Sequence, residues 1–358
     1  MQTTPSDGCV VRILYRDGDG IVRTTNAIDE LPALLAAAKQ SNGMRMVWVD
    51  LFPSDADAKQ LAHHTERGQA YPSQAERVLR QVFAFHPLAV DDALIESHVP
   101  KIDDWGAHLY IVLHAVAWEP TLEEVDTQEV DIFLSRESLV TYHVKPTPAI
   151  DRAWQNALRD ERHSRRGPDF LLYEICDAIA ADYMPCMDAI EDAMDEVQEE
   201  LFERPSGPML NRALRIRRAV SHLRRVLSPQ REVLNKLARD DYPVIDPKER
   251  VYFRDVYDHY VRMADLNESL RDLTSGSLET YLSVTANRTN QVMKALTIVT
   301  TLFMPLSFIT GFFGMNFFGG ATEVVHQIEP LVLFVLTVAA MIAIPAGMIF
   351  YIRRRGWW

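Results

Sequence analysis

The sequence has 358 residues, of which 47% are hydrophobic and 24% are charged, a balance that is ordinary for folded domains. Its formal net charge of −13 argues against nucleic acid as a partner, because phosphate binding needs a clustered basic surface. Three cysteines without a CxxC pair indicate neither a disulfide framework nor a thiolate zinc site. The sequence contains no HExxH motif, Walker loop or GxSxG motif, so it does not predict an enzyme.

Residues 1–167 alternate between strand-like and helix-like patterns. The predicted strands, rich in β-branched and aromatic residues, are residues 10–15, 21–24, 44–49, 109–118 and 130–143. Residues 31–39 and 73–83 have helical patterns. This alternation predicts an α/β domain whose sheet is largely covered by helices. The N-terminus has no signal peptide pattern, so we expect this domain to be cytosolic.

Residues 168–245 are wholly helical in pattern, and a turn at residues 205–208 divides them into an acidic arm and a basic arm. The acidic arm extends from Asp188 to Glu203 and the basic arm from Arg212 to Arg225. An antiparallel helical hairpin is therefore expected. Two interpretations of its charge remain open: two solvated faces that pair across the hairpin, or an acidic field that attracts cations above a pore.

A third helix is predicted to begin with Asp246 as N-cap and Pro247 at the first helical position. Its apolar residues recur at spacings of three and four, and no proline follows Pro247 until Pro305. Residues 246–294 are thus predicted to form a stalk that continues into the following apolar segment. Gly276 is its expected weak point, since glycine in a helix interior costs about 1 kcal/mol.

Two segments near the C-terminus, residues 295–313 and 331–352, are long and apolar enough to span a bilayer. Arg288 and Lys294 precede the first span, three arginines at residues 353–355 follow the second, and the connecting loop 314–330 contains no Lys or Arg. This asymmetry places the loop outside and both termini, including the basic tail 353–358, in the cytosol. Because two spans cannot enclose a hydrophilic path, a pore requires several copies of the chain around an axis.

The loop begins with Gly314-Met315-Asn316, a triplet that is suited to a hydrated cation. Magnesium holds its water tightly and prefers oxygen ligands, so a selective mouth should present neutral oxygens such as the Asn316 amide. The C-terminal end of the first membrane helix also favours a cation. Gly314 is expected to permit the tight reversal, and Met315 to pack.

Several motifs together resemble those of the CorA magnesium-channel family. They are Gly314-Met315-Asn316 closing the first span, YFRDVYDH at 252–259, TNQVMKAL at 289–296, FMPL at 303–306, and His86-Pro87-Leu88 with Asp91-Asp92. The similarity is densest over residues 251–317 and thinner elsewhere. It implies a funnel-shaped homopentamer in a bacterial inner membrane, with the α/β domain, long helices and two C-terminal transmembrane helices in each subunit. The transported and regulatory ion would be Mg²⁺, driven inward by the membrane potential.

The resemblance also implies roles for individual residues. Beyond the selectivity filter Gly314-Met315-Asn316, its pore positions fall on Asn290, Leu296, Met304, Ser307 and Gly311. At position 307 this sequence has serine in place of the threonine that the resemblance leads us to expect. Its regulatory magnesium site falls on Asp92 and, from the next subunit, Asp255, with Asp91 and His259 close by. Glu279 is expected to form an acidic ring at the inner mouth. A local alternative remains open, in which Asp92 caps the helix after Leu88 and Asp255 pairs with an arginine.

Rival functions also remain open. A ZntB-like zinc transporter would share the triplet and the topology, and Gly319-Gly320 and His326 in the loop favour it. Co²⁺ or Ni²⁺ could pass as secondary ions. A membrane-anchored scaffold or enzyme is the remote alternative, because it would leave Asn316 unexplained.

Overall fold

The structure is a computed structural model that describes residues 9–40, 46–53, 74–95, 99–119, 124–160, 165–203, 206–314 and 330–355. The chain divides into two compact units, Met1–Glu279 and Thr280–Trp358. The first unit contains the sheet and most of the helices, and the second contains the two apolar segments.

The described part of the first unit contains one seven-stranded mixed sheet. Its strands are β1 (Cys9–Arg16), β2 (Val22–Thr25), β3 (Val47–Pro53), β4 (Lys101–Asp104), β5 (Leu109–Glu119), β6 (Glu124–Leu134) and β7 (Ser138–Tyr142), in the spatial order β2-β1-β3-β7-β6-β5-β4. The β3–β7 pair is parallel, and the other neighbours are antiparallel. The predicted α/β domain is confirmed.

Helices cover both faces of the sheet, as expected for strands that are buried on both sides. One face packs against α1 (Leu31–Gln40), α2 (Gln74–Arg77) and α3 (Pro87–Leu94) through a continuous apolar core. On the opposite face, α4 (Pro148–Arg159) places Trp154 4.9 Å from Trp48 of β3, centroid to centroid. The sheet is therefore the middle layer of three.

Two segments of this unit differ in kind from their sequence predictions. The run at residues 130–143 is two strands, because Ser135-Arg136-Glu137 form a tight turn in which the Ser135 N–H donates to the Ser138 carbonyl at 2.8 Å. The helix predicted at residues 73–83 is α-helical only to Arg77 and continues as a π-helical turn, Val78–Val82. Flanking apolar residues concealed both irregularities.

The helical hairpin is confirmed as α5 (Pro168–Glu203) and α6 (Gly207–Arg239), which pack against each other and against the sheet. One ion pair between the arms, Arg212 with Glu196 at 2.6 Å, agrees with pairing of opposite charge. Deeper in the hairpin, the fully buried Gln230 accepts the His114 N–H at 2.8 Å and donates to the His114 carbonyl at 3.2 Å. The Gln230 side chain thus pairs with the backbone of β5 at His114, where β4 no longer does.

The long helix α7 comprises Arg250–Gly314 without interruption at Gly276, so the predicted continuity is confirmed. Its first helical residue is Arg250, three residues after the predicted Pro247. Asp246 accepts the Lys248 N–H at 2.9 Å and donates its own N–H to Asp169 at 2.9 Å, so it shapes a turn ahead of the helix. The last described helix, α8, comprises Pro330–Arg354. By length and composition, α7 and α8 can each cross a membrane.

Candidate functional site

The predicted pore residues share one face of α7. At 100° per residue, Asn290, Leu296, Met304, Ser307 and Gly311 lie within about 120° of one another. Glu279, at the end of the first unit, is the sixth predicted residue on α7. All six are exposed in the single chain. Leu296 is 65% exposed and Met304 72% exposed, which is unusual for large apolar side chains unless lipid or another subunit covers them.

Hydroxyl groups along this segment differ in their availability. Thr297, Thr300 and Thr310 donate to backbone carbonyls of their own helix at 2.8–2.9 Å, which satisfies them in apolar surroundings. Within the described residues, the Ser307 hydroxyl donates no such bond, while the Ser307 carbonyl accepts one from the Thr310 hydroxyl at 3.1 Å. Ser307 is thus the hydroxyl on the predicted pore face that is available to a hydrated ion.

The predicted selectivity filter is only partly within the described residues. Gly314 is the last residue of α7, and its backbone is not in the left-handed region. The predicted reversal beyond this end of α7 lies outside the described residues. Met315 and Asn316 lie outside the described residues, as do Gly319-Gly320 and His326.

In the first unit, the short helix α3 positions Asp91 and Asp92. His86 is its N-cap, accepting the Leu88 N–H at 3.3 Å, and the His86 ring stacks on Trp105 at 3.7 Å. The alternative that Asp92 caps this helix is therefore wrong. Asp91 forms an ion pair with Arg80, which also binds Glu76 at 2.9 Å, and Asp92 forms one with Lys101.

Lys101 lies between two carboxylates at the start of β4. Its ammonium contacts Asp92 and lies 3.0 Å from Asp103, with the Tyr110 ring centroid 5.1 Å away. Burial would lower the pKa of Lys101, but the contacts with Asp92 and Asp103 outweigh it and raise the pKa. Lys101 is thus a fixed cation beside a predicted metal ligand, which the sequence pattern did not reveal.

Asp255 and His259 lie one turn apart near the start of α7, next to Asp177 of α5. Burial raises the pKa of Asp177, proximity to Asp255 raises it further, and His259 lowers it. Among the described residues, Asp255 is exposed and has no recorded ion pair, so its predicted alternative pairing with an arginine is not observed. Asp177 escaped the sequence analysis because it lies within the apolar run from Phe170 to Ile179, ahead of the acidic arm.

Asp92 and Asp255 belong to separate charged groups within one chain. Asp92 interacts with Lys101, whereas Asp255 lies near Asp177 and His259. Within the described ranges, no group of three or more His, Cys, Asp or Glu residues is arranged to hold a metal ion. Carboxylates nevertheless provide the oxygen ligands that suit Mg²⁺.

Comparison with known proteins identifies the class to which this fold and these residues belong. Residues 70–354 match the family model described as CorA-like Mg²⁺ transporter protein. The "Cobalt/magnesium transport protein CorA" of Thermotoga maritima is 35% identical over 284 residues, covering 77% of this chain and 78% of that protein. A "Zinc transport protein ZntB" of Yersinia pseudotuberculosis is 25% identical over 255 residues, covering 70% and 75%.

The fold has a solved counterpart. The complete structure of a CorA magnesium transporter from Methanocaldococcus jannaschii superposes with a TM-score of 0.74, at 22% identity and with full coverage of both chains. The chain belongs to the CorA-like Mg²⁺ transporter family, whose members are membrane transporters of divalent cations and not enzymes. The predicted family is confirmed.

Proposed function

We propose that this chain forms a homopentameric channel that admits hydrated Mg²⁺ into the cytosol of a bacterium across its inner membrane. The observation that carries the proposal is the exposed stripe on α7, which leads to the Gly-Met-Asn triplet in a member of this family. Five copies of the stripe would line a path in which Leu296 and Met304 form apolar constrictions and Ser307 offers hydroxyls. Apolar rings can close such a path by dewetting.

Energetically, the membrane potential suffices as the driving force. Moving one charge across 100 mV is worth about 2.3 kcal/mol, and a divalent ion gains twice that amount. Asn316 would act at the outer mouth by binding the ion through its water shell, and Glu279 would attract the ion at the inner mouth. ATP is not required.

Regulation would come from magnesium that bridges neighbouring subunits. Asp92 of one subunit and Asp255 of the next would share the ion, with Asp91 and His259 nearby. When cytosolic magnesium falls, the ion bridge between Asp92 and Asp255 is lost, so the subunits are held together less strongly and the pentamer opens. The half-exposed state of Asp92 and the exposed state of Asp255 in the single chain support this arrangement.

Zinc transport is the second candidate. It is favoured by the similarity to a protein named as a zinc transporter and by Gly319-Gly320 and His326 of the loop. Purified protein in liposomes, with magnesium-sensitive and zinc-sensitive dyes used side by side, separates the two functions. A magnesium signal that exceeds the zinc signal at equal ion activity supports the first proposal, and the reverse ranking supports the second.

The same assay tests the filter. Asn316→Ala removes one amide oxygen from every subunit, so magnesium entry should fall at least tenfold while the oligomer still assembles. Thr322→Ala, in the same loop, is the matched control and should conduct normally. Near-normal flux through an assembled Asn316→Ala protein would exclude Asn316 from the mechanism.

A further inference from the structure

Asp92 is already neutralised by a cation of its own chain. The Lys101 ammonium contacts the Asp92 carboxylate and lies 3.0 Å from an oxygen of Asp103, so a single positive charge is shared between two carboxylates. All three side chains are accessible to solvent: those of Lys101, Asp92 and Asp103 are 30%, 47% and 40% exposed. A soluble ion can therefore reach the same carboxylate that Lys101 occupies.

Among the described residues, Asp92 and Asp103 are the carboxylates that the Lys101 ammonium contacts. The Tyr110 ring lies beneath it at 5.1 Å, and the Tyr110 hydroxyl donates to Asp131 at 2.6 Å, which fixes the ring. The neighbouring Asp91 is occupied by Arg80. Within this part of the structure, Lys101 is thus shared between Asp92 and Asp103, and its flexible four-carbon stem allows it to favour either one.

An ammonium and a divalent cation cannot both approach one carboxylate closely without repulsion. We propose that Lys101 is a built-in competitor of magnesium at Asp92, and that Asp103 receives the ammonium when the ion binds. This inference rests on the proposed regulation through Asp92. It assigns to Lys101 the role of a positioning residue that sets the magnesium concentration at which the channel closes.

The competition has a definite sign. Without the ammonium, magnesium does not compete with Lys101 for the Asp92 carboxylate. The Lys101→Gln channel should therefore close at a lower cytosolic magnesium concentration than the wild-type channel. A partly exposed ion pair changes binding by about two- to fivefold, which is the shift expected for the closing midpoint. Lys101→Arg keeps the charge and should stay close to wild type.

Asp103 provides a test of opposite sign. In Asp103→Asn the ammonium has Asp92 as its remaining carboxylate, so closure should require more magnesium. When Lys101→Gln is already present, adding Asp103→Asn should have a much smaller effect. Simple damage to the fold would instead shift the closing midpoints of Lys101→Gln and Asp103→Asn in the same direction.

The experiment measures current through the full-length channel in patches while magnesium on the cytosolic face is raised. Protection of the assembled channel from proteolysis by magnesium provides a second midpoint that does not depend on conduction. Lys145→Gln is the matched control, since Lys145 forms an exposed ion pair with Asp126 at 3.1 Å in the same domain. Its midpoint should equal that of wild type in both measurements.

Asp92→Asn, measured in parallel, separates this inference from the proposed gate. The competitor role is overturned if the closing midpoint of Asp92→Asn is shifted while that of Lys101→Gln is unchanged or higher. That result leaves the gate at Asp92 intact. If Asp92→Asn closes at the same magnesium concentration as wild type, the gate at Asp92 fails and the role of Lys101 fails with it. A lower midpoint in Lys101→Gln, abolished when Asp92→Asn is added, supports the inference.

Discussion

Asp50 of β3 is a fully buried carboxylate whose partners come from β1 and from the end of β7. Arg12 donates to it at 2.7 Å, the His143 Nε2 atom lies 3.3 Å away, and Thr141 donates a hydrogen bond. Burial would raise the pKa of Asp50, but contacts with His143, Arg12 and Thr141 outweigh it and lower the pKa. Burial would lower the pKa of His143, whereas its contact with Asp50 raises it.

The pKa shifts of Asp50 and His143 set a lower and an upper pH limit, respectively, to the stability that the pair contributes. The Asp50 contribution to stability is present above its unfolded pKa of 3.8 and is lost as the pH falls through the lower folded value. The His143 contribution is present below its unfolded pKa of 6.5 and is lost as the pH rises through the higher folded value. The pair should therefore stabilise the fold most strongly between about pH 4 and pH 6.5.

We expect His143→Gln to cost about 1.5–3 kcal/mol near pH 5.5, the value of a charge-assisted hydrogen bond, and less as the pH rises. Thermal unfolding of the protein between pH 5 and 9 measures this difference. His222 is a useful control because burial and then Arg225 lower its pKa, so His222→Gln should show a pH dependence of opposite sign. A difference between wild type and His143→Gln that is constant with pH would contradict the proposed charge on His143.

At the scale of elements, Gln230 connects the hairpin, the sheet and the stalk. Besides its two bonds to His114, its amide donates to the Tyr260 hydroxyl of α7, and Tyr183 of α5 donates to the His114 carbonyl at 2.9 Å. Gln230→Leu leaves the buried His114 N–H without its acceptor, which costs about 1–3 kcal/mol.

Thermal unfolding in detergent should therefore show a clearly lower midpoint for Gln230→Leu. Gln198→Leu is the control, because Gln198 also bonds to α7, through Ser277 at 2.9 Å, but at a half-buried position. If Gln230→Leu and Gln198→Leu unfold at the same temperature, burial of the hydrogen bonds around Gln230 adds nothing measurable to stability.

The membrane topology also belongs to this scale. The positive flanks predict that a cysteine at Thr322 reacts with an impermeant thiol reagent added outside intact cells, whereas one at Gly356 does not. The native cysteines Cys9, Cys176 and Cys186 are buried, so background labelling should be low. External labelling of Gly356→Cys would refute the assignment of two spans with a cytosolic C-terminus.

Elements that depend on local pattern could be predicted from the sequence, and contacts between distant residues could not. The hairpin and the two apolar helices follow from periodicity and hydrophobic length, which survive in any fold. The Lys101–Asp92 pair, the cap at His86 and the proximity of Asp177 to Asp255 depend on how elements pack. The π-helical turn at Val78–Val82 has the same apolar composition as an α-helix, so its sequence gives no distinguishing signal.

For the whole molecule, the single chain leaves a large apolar surface on α7 and α8 exposed. Among the described residues, its carboxylates form no group of three or more that could hold a metal ion. Both features fit an assembly in a bilayer, where neighbouring copies and lipid cover the helices. Under the proposed function, regulation by magnesium would be a property of the assembly. Each bridging ion would favour the closed state by RT ln(1 + [L]/Kd), and several coupled sites would make the response steep.

Current through patches, recorded while cytosolic magnesium is raised through the millimolar range, tests this account most directly. Wild type should close, whereas Asp92→Asn combined with Asp255→Asn should conduct normally and need much more magnesium to close. Asp126→Asn, which removes an exposed carboxylate elsewhere in the domain, should behave as wild type. If the double variant closes over the same magnesium range as wild type, the ion-bridged gate is contradicted and the acidic arm from Asp188 to Glu203 becomes the candidate sensor.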